Sequence, residues 1–591
     1  MCGLVGVVAA SGTRLSIDER VLTRMRDRLV HRGPDDAGLF MGEGVGLGHR
    51  RLAVIDPTPA GRQPMSTPDG RWTIVYNGEL YNDADVRQTL SSEGLRPRSD
   101  CDTETVLLAI GRWGVEARRR LRGMYAFGAW DAERRRLVLA RDPLGIKPLH
   151  FTVLNGREIV FASEVRAILD HPAVGAVPDM ATASGYLTNV RTTLDDRTLF
   201  EGVRTLRPGE WIEIDASGDE LAMTRSSWWD DDHASVEGDT RDVVREAVFA
   251  HLRSDVPLCS LLSGGLDSSA IARVASERAT DLRTYCSGAV TEERSDDFSY
   301  AREAAEWIGS VHTEVIVSRE DFIEKWAGLV DHLCTPLSTP NEVAILAVAQ
   351  KLRGEGNVVA LSGEGADELF AGYSLSLAGA ERWIETTPDE ADGGGFELQA
   401  AAWVPIAMKP SLLTDDAIVA AGGDAELRSW YAEVYRDGVR SGLTRLDAHR
   451  HVHQRINLEG LLRRLDTSTM AASVEGRTPL ADQVVALHAA GLPMERKFIA
   501  YPGGASHTKI ALREAFANDL PPSIVRRPKA SFPLPFQAWV GDAVETLRDS
   551  SFVNAVFRPE AIEQLTRDPG GLWNIAWPAL NLAMWGRRWW G

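Results

Sequence analysis

The chain contains no run of about 18 apolar residues and no basic segment ahead of an apolar stretch, so neither a membrane-spanning helix nor a secretory leader is expected. Its five cysteines (2, 101, 259, 286 and 334) show no CxxC spacing, and an odd count on a long chain reads as reduced thiols. Basic residues are in deficit: 65 Lys and Arg against 84 Asp and Glu leave a net charge of −19. A nucleic-acid or anionic-membrane surface is therefore disfavoured, although backbone N–H groups can still build a local phosphate site. A soluble, cytoplasmic protein is expected. The composition that remains, 44% apolar and 25% charged over 591 residues, is that of a globular chain with room for about two to four domains.

No internal repeat is visible, but the rhythm of the chain changes once. Residues 1–215 carry short strand-like runs rich in Val, Ile and aromatics, at Gly3–Ala9, Gly46–Ile55, Trp72–Tyr76, Tyr125–Trp130, Arg136–Ala140 and Ile159–Ala162. Helices are expected at Glu19–Leu29, Asn82–Glu93 and Thr103–Trp113. Residues 216–240 have little periodicity and read as a linker. Beyond them strands at Val256–Leu262, Leu282–Ser287, His312–Val317 and Val358–Leu361 alternate with helices, the signature of a doubly wound parallel sheet. Residues 370–591 read as mostly helical. Trp573, Trp577, Trp585, Trp589 and Trp590 suit core packing, and Asp389–Gly395 an exposed loop.

Cys2 directly follows the initiator methionine. Small second residues generally allow that methionine to be removed, leaving Cys2 with a free α-amine of pKa near 8 that can relay the thiol proton. Three further segments put polar residues where strands should end: His31–Asp36, Arg51–Asp56 and Tyr76–Glu79. Asp102 opens a helix, where it could equally serve as an N-cap. Together these parts suit an α-amino-acid amide. Arg51 can pair with an α-carboxylate, Glu79 and Asp102 with an α-ammonium, and Asn77 and Gly78 can donate to an oxyanion.

Cys2-Gly3, HRGPD at 31–35, RLAVID at 51–56, NGE at 77–79, Asp102-Thr103-Glu104 and RDPLGIKPL at 141–149 together resemble the class II glutamine amidotransferase domain. The resemblance implies an N-terminal-nucleophile, four-layer αββα sandwich. By that pattern Cys2 is the nucleophile, its amine the base, Asn77 and Gly78 the oxyanion hole, and Arg51, Glu79 and Asp102 bind glutamine.

The second domain carries Ser263-Gly264-Gly265-Leu266-Asp267-Ser268-Ser269 between an apolar strand and a helix, a cradle of N–H groups for anions. No lysine completes a GxxxxGK pattern, so γ-phosphate transfer is disfavoured. The loop resembles the signature of N-type ATP pyrophosphatases. Ser362-Gly363-Glu364-Gly365-Ala366-Asp367-Glu368 follows another apolar strand, so Asp267 and Asp367 should share the carboxyl edge of one sheet, where hard oxygens suit Mg²⁺. SGEGADE at 362–368, VEGRTPLAD at 474–482 and TKIALRE at 508–514 resemble the synthetase domain of glutamine-hydrolysing asparagine synthetases. The implied plan is a glutaminase domain at 1–215, a linker at 216–240 and an amidating domain at 241–591 with a helical extension.

The resemblance further implies ATP contacts at Leu262, Ser263, Gly264, Gly265, Asp267, Ser268, Ser287, Ser362 and Gly363, with Mg²⁺ on Asp267 and Asp367. Lys509 would steady the α-phosphate and Glu364 the acyl-adenylate step, while Arg477 is either catalytic or structural. The reaction implied is amidation of a carboxylate, by default aspartate, through an acyl-AMP with ammonia from glutamine, and a homodimer is one expected assembly. One loop departs from the family. Thr335 stands before Pro336 where many members carry Glu, and the acid that usually follows is missing. Amidation of another carboxylate is therefore an alternative. Internal ring closure, as in β-lactam synthetases, is opposed by the presence of Cys2, Arg51, Asn77 and Asp102, and a non-catalytic relative by that of Cys2, Asp267 and Glu364.

Overall fold

The computed structural model describes residues 2–231, 233–290, 296–501, 506–529 and 534–591. Met1, whose removal the first site requires, lies outside them. The strand Cys2–Ala9 is buried along its whole length and pairs antiparallel with Val45–Arg51 on one side and Glu158–Ala162 on the other. A strand covered on both faces needs apolar or small residues throughout, which explains the unbroken run CGLVGVVA. It belongs to an eight-stranded sheet, and a six-stranded sheet is built around Trp72–Leu80 and Gly123–Asp131.

The strand alternation decides the layers. Leu4 and Val8 point toward Val75, Ala126 and Leu139 of the second sheet. Val5 and Val7 point outward to Leu22 and Met25 of the helix Glu19–Asp27. On the far side Ile74 and Tyr76 pack under Val106 and Ile110 of Asp102–Trp113. Helix, sheet, sheet and helix form the expected four-layer αββα sandwich. The stretch read as a linker holds a strand, Ala222–Ser227, paired with Glu210–Asp215. Its outer residues are solvent-exposed, so it lacks the apolar alternation that reveals a half-buried strand.

The second domain has a five-stranded parallel sheet, in the spatial order Val311–Ile316, Arg283–Gly288, Leu258–Leu261, Val359–Leu361, Glu475–Arg477. The order reverses beside Leu258–Leu261, so ligand loops gather at the carboxyl ends of that strand and Val359–Leu361. The fifth strand escapes sequence reading because it is three residues long and two of them are charged. In the helical extension, Trp577 and Trp585 of Trp573–Trp590 are fully buried, with Trp577 stacked on Trp326 at 4.5 Å. Asp389–Gly395 is not wholly a loop. Asp392 caps a helix, Gly393–Ala400, and a Cβ at Gly393 would come within 2.3 Å of the Tyr435 ring, so that glycine serves close packing rather than a turn. Among the described residues no helix is long and apolar enough to cross a membrane.

The two domains meet through buried charge. Along the helix Leu458–Met470, Glu459 accepts from Arg141 at 2.9 Å and Asp466 from Arg32 at 2.6 Å and Lys147 at 3.2 Å. Arg122 reaches Asp482 at 3.1 Å. Removing one partner of such a pair strands its neighbour, at a cost of about 3–5 kcal/mol.

Candidate functional site

Antiparallel register sets Cys2 directly opposite Arg51. The Cys2 N–H donates to Asn77 Oδ1 at 2.8 Å, and Sγ lies 4.0 Å from the Leu52 carbonyl. The Asn77 amide nitrogen, Nδ2, is buried with no hydrogen-bond partner among the described residues, so a donor stands ready beside Cys2. Burial pushes the Cys2 thiol pKa up, which makes an adjacent base a requirement for thiolate chemistry.

Arg51 is buried and braced by the loop it precedes, donating to the carbonyls of Thr58 (2.8 Å), Ile55 (3.1 Å) and Asp56 (2.5 Å). Of its five N–H groups, two remain for a ligand. Asp102 Oδ2 accepts from the Leu80 N–H at 2.9 Å and the Tyr76 hydroxyl at 3.2 Å. Burial, with Asp102 as the next contributor, raises the Glu79 carboxyl well above its ordinary range. Two carboxyl groups desolvated together favour a cation between them. The second domain closes this end: Arg253 Nη1 lies 3.6 Å from Glu79 Oε1 and Arg477 Nη2 3.5 Å from Oε2. Arg477 also binds Glu475 at 2.7 Å and the His251 carbonyl at 2.7 Å. Its guanidinium sits at the domain boundary, while its backbone carbonyl accepts from the Ser362 N–H of the second glycine loop at 2.8 Å.

At the sheet switch point the two glycine loops touch. Gly264 has φ +68°, and a Cβ there would fall 2.3 Å from the Tyr300 carbonyl carbon, so only glycine fits that turn. Ser263 and Ser268 face each other, with hydroxyls 3.1 Å apart, and Gly265 caps the helix Leu266–Ala275. A Cβ on Gly363 would meet the Ser268 nitrogen at 2.9 Å. The buried Leu262 takes its N–H to the Tyr285 carbonyl, Ser287 Oγ donates to Ala344, and the Ser362 N–H to Arg477. Lys509 joins the loops: its Nζ is 2.6 Å from Asp267 Oδ2 and 2.7 Å from Asp367 Oδ1. Lys529 adds a contact of 3.0 Å to Asp367. Against burial, the charges of Lys509 and Lys529 hold the Asp367 carboxyl at about 2, and the two carboxylates raise the Lys509 ammonium. Among the described residues Asp267 Oδ1 is buried without a hydrogen-bond partner, a hard oxygen that fits a divalent cation.

Glu364, next in the second loop, is gripped by Arg464 at 2.6 Å. Arg464 also donates to Thr339 Oγ1 at 3.0 Å and lines a pocket of about 480 Å³ with Thr335, Pro336, Ser338 and Glu342. The loop that departs from the family therefore borders the pocket at Glu364 and Arg464.

Two family models match the chain: "Glutamine amidotransferase domain" over residues 1–229 and "Asparagine synthase" over residues 239–587. Asparagine synthetase [glutamine-hydrolyzing] 1 of Bacillus subtilis is 31% identical across 96% of this chain and 93% of its own length. The chain belongs to the glutamine-hydrolysing asparagine synthetase family. A second Bacillus subtilis synthetase, numbered 3, is 30% identical over 98% of the chain and 95% of its own. Amidase chyE of Penicillium rubens is 31% identical over 64% and 60%.

For an asparagine synthetase relative, sequence reasoning missed the residues that act across distance. Arg464 sits in a helix whose motif signal lies further on, and Arg253 in a loop two residues past the helix Thr240–His251, with no signature at all. Glu342 lies just after the departing loop, near the start of the helix Asn341–Gly354. It accepts from the Thr339 N–H at 3.0 Å and Ser338 Oγ at 3.2 Å, which places a carboxylate on the pocket that Thr335 and Pro336 line.

Proposed function

We propose that the chain converts aspartate to asparagine, using glutamine as the nitrogen source and cleaving ATP to AMP and pyrophosphate. The observation that carries this reading is Lys509, whose ammonium joins Asp267 and Asp367 of the two glycine loops at 2.6 and 2.7 Å. In the first domain the Cys2 amine takes the thiol proton and sulfur attacks the glutamine amide carbon, with Asn77 and Gly78 donating to the oxyanion. Ammonia leaves, and water hydrolyses the thioester to glutamate. In the second domain the acceptor carboxylate attacks the α-phosphorus and pyrophosphate departs. Ammonia then attacks the acyl carbon near Glu364, AMP leaves, and the surplus proton passes to base. Asp267 and Asp367 would hold Mg²⁺, which supplies charge neutralisation for the phosphates when bound. Lys509 adds a fixed positive charge at the α-phosphate, where charge develops in the transition state.

Thr335 and Pro336, where the sequence departs from the family, line the pocket beside Arg464 and favour one second reading, the same chemistry on a different carboxylate. Pyrophosphate release with ATP, Mg²⁺ and glutamine, with and without aspartate, separates the two. Aspartate-dependent release with asparagine formed supports the first reading. Glutamate formation without aspartate-dependent pyrophosphate removes aspartate as the substrate.

A further inference from the structure

The acceptor pocket is lined from both domains. Arg191 and Thr193 come from the first, and Arg463, Arg464 and Glu342 from the second. We propose that Arg191, together with Arg463, binds the carboxylate of the acceptor that does not react, and that Glu342 receives its ammonium group. The proposal rests on the reading of this pocket as the amidation site.

Arg191 is oriented at a conformational cost. It follows Val190, the C-cap of the helix Met180–Asn189, which has φ 50° and ψ 31°. That left-handed conformation is rare for a β-branched residue and is kept only where the surroundings enforce it. One Arg191 nitrogen, Nη2, donates to Asn457 Oδ1 at 3.0 Å, which fixes the guanidinium plane. Nε and Nη1 are buried with no hydrogen-bond partner among the described residues, and so is Nε of Arg463. Leaving buried guanidinium donors unmatched is costly, so an anion on that side is the complement the pocket lacks.

Glycine marks the same spot. Gly460 lies in the helix Leu458–Met470, where glycine weakens the helix relative to alanine. A Cβ there would be 2.4 Å from Arg191 Nη1, so the space is kept for the guanidinium. In a chain of net charge −19, an anionic acceptor also needs a local concentration of positive charge.

The test uses the full chain and three probes in the pyrophosphate assay: aspartate, β-alanine (no α-carboxylate) and succinate (no ammonium). Wild type should prefer aspartate over both. Arg191→Ala should raise the KM for aspartate on the order of 30-fold, the scale of a lost charged hydrogen bond, and level aspartate with β-alanine. Arg191→Lys should recover part of the loss, and Glu342→Gln should level aspartate with succinate. Glutamate release without ATP reports folding of each variant. An unchanged aspartate KM with only a lowered melting temperature would assign Arg191 a structural role and overturn the proposal. If wild type releases no pyrophosphate with aspartate, the amidation of aspartate fails by itself. Calorimetric binding of aspartate then decides: binding lost in Arg191→Ala keeps the subsite, and no binding to wild type removes it.

Discussion

Arg32 of the first domain donates to Asp466 of the second at 2.6 Å, with both side chains shut away from solvent. The same guanidinium donates through Nε to the Cys2 carbonyl at 3.2 Å and through Nη1 to Glu164 at 2.9 Å. Two residues before Asp466, Arg464 holds Glu364. One short segment of helix thus reaches the backbone of Cys2 through Arg32 and holds the Glu364 side chain directly.

Asp466→Asn tests that link. It leaves Arg32 and Lys147 sharing one neutral partner, so unfolding should cost about 3–5 kcal/mol less than in wild type. If the helix couples the sites, glutamate formed per pyrophosphate should rise above one in the variant that remains folded. An unchanged ratio together with the stability loss would make the pair purely structural.

Lys509→Met removes the charge between Asp267 and Asp367. Acceptor-dependent pyrophosphate release should fall about 10²–10³-fold, the range for losing one preorganised donor at a reacting centre. The Asp367 carboxyl, held at about 2 against burial by Lys509 and Lys529 together, should then rise, with Lys529 left as its cation. Glutamate release without ATP should persist. Equal loss of both activities would indicate collapse of the fold instead of a role at the α-phosphate.

Glu342 predicts a pH dependence. Burial pushes its carboxyl up to about 7, against the Thr339 N–H, the Ser338 hydroxyl and the charge of Arg464, while Arg191, Arg463 and Glu459 share its pocket. A folded pKa above the unfolded value means that its contribution to stability is complete below about 4.5 and is lost as pH rises through about 7. Glu342→Gln should therefore match wild type near pH 4.5 and exceed it at pH 8 by up to about 3 kcal/mol in denaturant unfolding. The ionised fraction grows about tenfold from pH 6 to pH 8, so the wild-type aspartate KM should fall by a similar factor and that of Glu342→Gln should stay level.

The parts legible in the sequence were those whose chemistry is local. Cys2 and Asn77 lie on long buried strands, and the Gly264 and Gly363 turns follow apolar runs, so residue type and spacing carried their positions. Arg464, Arg253 and Arg191 were not legible because their meaning comes from what a distant segment places opposite them. Arg191 follows a left-handed valine that propensity argues against. The strand Glu475–Arg477 was hidden because burial of its charges is settled by nearby positive charge, Arg477 and Lys147 among it, which lowers the Glu475 carboxyl despite its desolvation.

Asn77 offers a separation of donor from acceptor. Its Oδ1 orients the Cys2 nitrogen at 2.8 Å, while its buried Nδ2 has no hydrogen-bond partner among the described residues. Asn77→Asp keeps an oxygen for the nitrogen and removes the donor, so glutamine hydrolysis should fall about 10²–10³-fold. Pyrophosphate release driven by added ammonium should survive, because no group of the second site is touched. Gly78→Ala should behave differently: a Cβ there would lie 2.3 Å from the Met124 carbonyl oxygen on the neighbouring strand, so the sheet must shift and the melting temperature should drop along with hydrolysis. Hydrolysis lost in Asn77→Asp at an unchanged melting temperature assigns Nδ2 to the oxyanion, and hydrolysis retained there would leave the oxyanion to backbone N–H groups alone.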